Sequence, residues 1–218
     1  MMKSEPSNKA IDLFLNQLSC ELVDDIFVSN MYFGDKPENV MRRINLKKYL
    51  KFFVSTVPSF ILVGEAPGYN GCRISGIPFT STKVIMRSPF FQRLDICDLE
   101  LLQDESTASI VWNYFDDKGI YPLFWNAFPF HPHKNGLENT NRKPTRAELE
   151  VGKKYLLSLM EIFPEATIIA VGKTAQKSLI AMGIDAQALR HPAYGGKTDF
   201  INAMEKLLAK QLNDQPLP

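Results

Sequence analysis

Cysteine is scarce in this sequence, and its scarcity excludes two chemistries. Cys20, Cys72 and Cys97 are too few and too scattered for a disulfide framework, and none belongs to a C-x-x-C pair that would bind zinc or run thioredoxin-like exchange. Long apolar runs are missing too. No stretch approaches the roughly 20 residues that cross a bilayer, and the opening "MMKSEPSNKAIDLFLNQL" lacks the uninterrupted apolar segment of a signal peptide. A reduced, cytoplasmic protein with no membrane partner is the expectation. No single sign of charge dominates: 25 Lys and Arg stand against 24 Asp and Glu, a net charge of +1. That balance excludes a uniformly basic chain but leaves room for a local basic face. The dinucleotide fingerprint G-x-G-x-x-G is absent. "VGKTA" carries the Gly-Lys-Thr of a P-loop but has Thr167 where the first glycine must stand, so an NTPase reading fails.

What is present is enough for one sizeable core: 218 residues, 45% hydrophobic and 22% charged, expected to form one domain over 1–218. Four segments rich in β-formers, 59–64, 123–128, 166–172 and 186–191, are separated by helical sequence. In "KPTRAELEVGKKYLLSLMEIF", Thr145 and Glu148 have the spacing of a capping box, and Leu149, Tyr155, Leu156, Leu159 and Met160 recur at helical period as core contacts. "KTAQKSLIAMG" ends on Gly183, where a left-handed residue closes a helix. Nearly continuous apolar strands alternating with helices predict an α/β fold: a three-layer α/β/α sandwich around a central four-stranded parallel sheet. The tail "NDQPLP" reads as loose. Two basic clusters stand out. Arg42, Arg43, Lys47, Lys48 and Lys51 read as a solvated helix face, whereas Lys134, Arg142, Lys143 and Arg146 fall on a loop and the helix start after it.

Ligands of such sheets bind beyond the carboxyl ends of the strands, which directs attention to the loops after Gly64, Phe128 and Arg190. These loops carry Glu65 and Phe79, then Asn126 with His131 and His133, then His191. A planar base can stack on Phe79 while the Asn126 amide, with one donor and one acceptor edge, reads its hydrogen-bonding face and His191 donates to a ring oxygen. Taken singly, each also has an ordinary structural explanation: a core ring, a strand-end turn, a satisfied imidazole. Two histidines with no third ligand make a poor zinc site.

Three stretches in order carry a resemblance. "GEAPGYNGCRISGIPFTS", the Asn-bearing "NAFPFHPHKNGLENTNRKPTRAEL" with the later "VGKTA", and "HPAYGG" resemble the motifs of the uracil-DNA glycosylase superfamily, over roughly Phe60 to Gly196. The first 55 residues fall outside it. The most similar branch, family four, holds an iron-sulfur cluster on four cysteines; here Phe130 and Gly152 occupy the third and fourth positions, so no cluster, metal or other cofactor is expected.

The resemblance implies hydrolysis of the N-glycosidic bond of uracil or another deaminated base in DNA, with the base swung out of the duplex and free uracil released by a monomer. It implies a base pocket of Phe79 and Asn126 floored by Gly64, Ala66, Pro67 and Gly68, and catalysis by His191 with Glu65, or Asn70, holding the attacking water. Glu65 can alternatively bond loop amides and hold the turn. Lys134, Arg142, Lys143 and Lys173 are expected on phosphates, with Tyr194 as the wedge. Gly68 stands where another branch has a tyrosine that excludes thymine, and Ala66 where it has an aspartate. A non-catalytic nucleic-acid binder and an enzyme of free nucleosides remain open alternatives.

Overall fold

A computed structural model describes residues 7–96 and 103–214, with side chains described through 211. Cys97 and the last four residues of the expected loose tail lie outside the described residues. The chain runs α1 (Asn8–Cys20), β1 (Val28–Ser29), α2 (Pro37–Thr56), β2 (Phe60–Gly64), α3 (Cys72–Ser75), α4 (Thr82–Arg87), α5 (Pro89–Gln92), α6 (Ser106–Lys118), β3 (Leu123–Asn126), β4 (His131–Pro132), α7 (Arg146–Ile162), β5 (Thr167–Val171), α8 (Lys173–Ala181), β6 (Gln187–Leu189) and α9 (Lys197–Asp214).

The four expected strands pair as one parallel sheet in the order β3-β2-β5-β6. Connections from β2 and β5 leave in opposite directions, so a crevice opens between their carboxyl ends, at Gly64 and Val171. Alternation along β3 assigns neighbouring rings to opposite layers. Phe124 faces α6, with its ring 5.3 Å from Trp112 and 5.7 Å from Phe115. Trp125 faces α1, 5.4 Å from Phe14. Each such buried aromatic is worth roughly 1.5–3 kcal/mol relative to exposure. Asn126 is two residues beyond Phe124 and shares its face.

Local signals work as the sequence predicts at two helix ends. Thr145 and Glu148 make the reciprocal capping box of α7, and Gly183 follows α8 with φ of 74°. Leu149, Tyr155, Leu156 and Leu159 are buried, and Met160 is half-buried.

Three expectations need correcting. The loop holding His131 and His133 contains a short strand, β4, which pairs antiparallel with β1 from the N-terminal region. Asn213 and Asp214 continue α9 rather than beginning a loose tail. The basic cluster of α2 is not a free solvated face, because each cation has a tertiary partner. Lys47 and Lys51 pair with Asp12, Lys48 with Asp95, while Arg42 and Arg43 donate to backbone carbonyls of neighbouring turns.

Candidate functional site

A cleft of about 1230 Å³ occupies the crevice at the carboxyl ends of β2, β3 and β5. Its walls include Gly64, Glu65, Ala66, Gly68 and Asn70 from the first loop, Phe79, Asn126 from the end of β3, and His191 with Tyr194 from the last loop. The three loops singled out in the sequence therefore meet at one rim.

The floor depends on a missing side chain. A Cβ on Gly64 would lie 2.7 Å from two atoms of the Phe79 ring and 2.8 Å from Asn126 Oδ1, so glycine alone lets ring and amide close on the same point. Phe79 reaches it with φ of 55°, a left-handed conformation that is costly for a bulky residue. Trp112 holds it there by donating from Nε1 to the Phe79 carbonyl at 3.0 Å, and the Phe79 ring packs on Phe124 at 5.2 Å. Asn126 is 4% exposed; its Nδ2 donates to Cys72 Sγ at 3.9 Å.

His191 enters from the opposite wall. Its ring packs against Gly172, where a Cβ would stand 3.0 Å from His191 Cβ. Nδ1 accepts from the Ala193 N–H at 3.2 Å, which places the ring proton on Nε2. Burial, assisted by the positive charge of Arg190, keeps the imidazole below its ordinary pKa. The group is thus a neutral donor whose Nε2–H has no acceptor among the described residues.

Glu65 is half-buried, and burial raises its carboxyl above the ordinary range while Lys143 opposes the shift. Its side chain makes no hydrogen bond among the described residues. The turn is instead held by backbone: Ala127 N–H donates to the Gly64 carbonyl at 2.8 Å and Phe128 N–H to the Glu65 carbonyl at 3.0 Å. The alternative in which Glu65 bonds loop amides is therefore set aside. Asn70 and Gly68 lie on the same wall, and a Cβ at Gly68 would meet nothing within 4 Å.

Other expected residues sit elsewhere. Pro67 is buried beneath the loop and does not line the cleft; its carbonyl faces His131 Nδ1 at 2.8 Å. Arg142 is engaged internally. It forms a two-pronged pair with Glu148 at 2.8 and 2.6 Å and also donates to the carbonyls of His133, Lys143 and Phe27. With its donors so occupied, it braces the loop and is not free for phosphate. Lys134 and Lys143 are exposed and off the cleft wall, though Lys143 acts on Glu65. Lys173 lines the cleft at the start of α8, and Tyr194 stands at its rim, 95% exposed with φ of 54°.

Two wall residues carried no signal in the sequence. Glu105, just before α6, has a carboxyl oxygen where a Gly71 Cβ would be 2.7 Å away, and burial raises its pKa against hydrogen bonds from Thr107 and Ala108. Cys72 is 3% exposed beside Asn126. Glu105 belongs to no motif, and Cys72, inside the first motif stretch, stands out by no chemistry of its own there; packing brings both to the cleft.

The cluster positions of family four do not fit a cubane here. Phe130 packs on Tyr155 and Phe128, and a Cβ on Gly152 would lie 2.0 Å from the Ala127 carbonyl oxygen. Among the described residues no group of three or more His, Cys, Asp or Glu is placed to hold a metal ion.

Comparison with known proteins gives three results. Residues 51–211 match the model of the Uracil DNA glycosylase superfamily. No curated protein matches. Among solved structures, wild-type SMUG2 of Pedobacter heparinus aligns with a TM-score of 0.66 at 14% identity, covering 94% of this chain and 99% of that one, a likeness of fold. With the family match spanning well over half its length, the chain belongs to the uracil-DNA glycosylase superfamily.

Proposed function

We propose that the protein is a DNA glycosylase that hydrolyses the N-glycosidic bond of uracil, or a related deaminated base, extruded from DNA. One observation supports this reading most: Phe79 and Asn126 close on the bare α-carbon of Gly64 across the cleft from His191. A ring, an amide and a neutral imidazole donor then line one cleft.

In this reading the base stacks on Phe79. Asn126 Oδ1 accepts from N3–H and Nδ2 donates to O4, a pattern that cytosine reverses. A buried amide left unpaired by the wrong base supports rejection by as much as about 10⁴ to 10⁵. His191 Nε2–H bonds O2 as negative charge gathers on the departing base. Glu65, unbonded and on the same wall, orients the attacking water with Asn70 beside it. Lys173 meets a phosphate and Tyr194 fills the gap left in the stack. Because nothing projects from residue 68, the C5 side of the pocket stays open, and bases larger than uracil belong to the test panel.

The experiment is incubation of labelled single- and double-stranded oligonucleotides, each bearing uracil, hypoxanthine, xanthine or thymine opposite guanine, followed by alkaline cleavage of abasic sites. Strand cleavage at uracil is the expected result. Salt-sensitive binding with no cleavage would instead favour a non-catalytic binder, and turnover of deoxyuridine without DNA a nucleoside enzyme.

A further inference from the structure

The N-terminal region lies largely outside the family match, yet it reaches the base-reading side of the cleft. Tyr32, 1% exposed, donates its hydroxyl to the Gly76 carbonyl at 2.8 Å. The same hydroxyl lies beside the Cys72 thiol. Arg43 donates from Nη1 to the carbonyls of Tyr32 and Gly34 at 2.6 and 2.5 Å, so the turn carrying Tyr32 is anchored to α2. Arg42 closes the frame from α2: its Nε donates to the Ile74 carbonyl at 3.1 Å, and a Cβ on Gly76 would stand 2.7 Å from Arg42 Cβ. The short α3, whose first residue is Cys72, is therefore clamped by N-terminal residues.

The direction of donation through this frame follows from what each group can do. The Gly76 carbonyl only accepts, so the Tyr32 O–H must point to it. Burial pushes the Cys72 thiol pKa up and keeps it protonated. The sulfur in turn accepts from Asn126 Nδ2. A carboxamide has two flip states of nearly equal shape and opposite polarity. Here one end leans on the sulfur while Oδ1 occupies the space beside Gly64.

We propose that Tyr32 and Cys72 are positioning residues that hold Asn126 in a single flip state, so that the N-terminal region sets which base edge the cleft reads. The inference rests on the reading of Asn126 as the base-reading residue. With Nδ2 on the sulfur side, its second N–H is the donor for O4 and Oδ1 the acceptor for N3–H. The reversed amide would present the complement of cytosine. A single hydrogen bond of this kind is worth roughly a three- to tenfold preference.

Two readouts test it. The first is the ratio of dissociation constants of free uracil and free cytosine, measured by calorimetric titration of each base into the protein. The second is the Asn126 side-chain amide signal pair in proton–nitrogen spectra, assigned by its loss in Asn126→Asp. Cys72→Ala should lower the ratio roughly three- to tenfold, shift the amide pair and speed its exchange with solvent. Tyr32→Phe should act in the same direction and less. Cys72→Ser, whose hydroxyl both accepts and donates, should restore the wild-type ratio. In an Asn126→Asp background, Cys72→Ala should change the ratio no further. Unchanged amide signals in Cys72→Ala would overturn the proposal, as would an equal loss in Cys72→Ser or one that persists in the Asp background, since those mark a merely structural role. Should the wild type excise nothing while the amide signals respond as expected, the glycosylase reading falls alone.

Discussion

Two histidine-bearing loops, one after β3 and one after β6, treat the same side chain in opposite ways. His131 is fully buried, with one ring nitrogen 2.8 Å from the Pro67 carbonyl and the other 2.9 Å from the Glu138 carbonyl. His191 has one nitrogen accepting from Ala193 N–H and the other free to donate into the cleft. Both imidazoles are held below their ordinary pKa by burial. Depressed titration therefore does not tell a site from a scaffold. The informative difference is a remaining hydrogen-bonding valence that faces open space. The same contrast separates Arg142, fully engaged by Glu148 and carbonyls, from Lys173 on the cleft wall.

Substitutions can break this contrast, beginning with the largest effect. Asn126→Asp should cost uracil excision as much as about 10⁴ by presenting two acceptors to a base edge that needs one donor; steady-state excision of uracil-containing DNA measures it. His191→Ala should lower kcat by about 10² to 10³ with little change in KM or in the denaturation midpoint. His131→Ala should do the reverse. It removes the one N–H that a neutral imidazole can donate to the Pro67 or Glu138 carbonyl, at about 1–3 kcal/mol, so urea unfolding should shift while the protein that remains folded keeps its kcat.

A pH profile sharpens the assignment of Glu65. Its carboxylate form orients the water, and its folded pKa is raised by burial, so kcat/KM should fall on acidification at a pH above the ordinary glutamate value of about 4.5. Glu65→Gln should remove that acid limb along with much of the rate. The smallest effect belongs to the basic residues. Lys173→Gln should reduce the salt slope of DNA binding by about one unit, whereas Arg142→Gln should leave the slope unchanged and lower stability.

The sequence was legible where its signals are local. Apolar runs marked β2, β3 and β5, and the Thr145–Glu148 spacing marked the start of α7, because both depend on neighbours along the chain. The order of motifs also brought Phe79, Asn126 and His191 to one rim. What was not legible depends on distant partners. Nothing near residue 142 says that the Phe27 carbonyl will take part of its guanidinium. Nothing near residue 47 says that Asp12 will pair with it. The β1–β4 pairing joins residues about a hundred positions apart, and Glu105 and Cys72 reach the cleft only through packing onto Gly71 and Asn126. The basic residues were misjudged for the same reason: charge is visible in a sequence, but whether it is already neutralised is not.

The most direct test is a structure of the protein with DNA carrying 2′-fluoro-2′-deoxyuridine, whose glycosidic bond resists hydrolysis. The account predicts a uracil ring turned out of the helix, lying on Phe79, paired edge-on with Asn126 and touched at O2 by His191 Nε2. A uracil left stacked in the duplex, or bound away from Gly64, would contradict it.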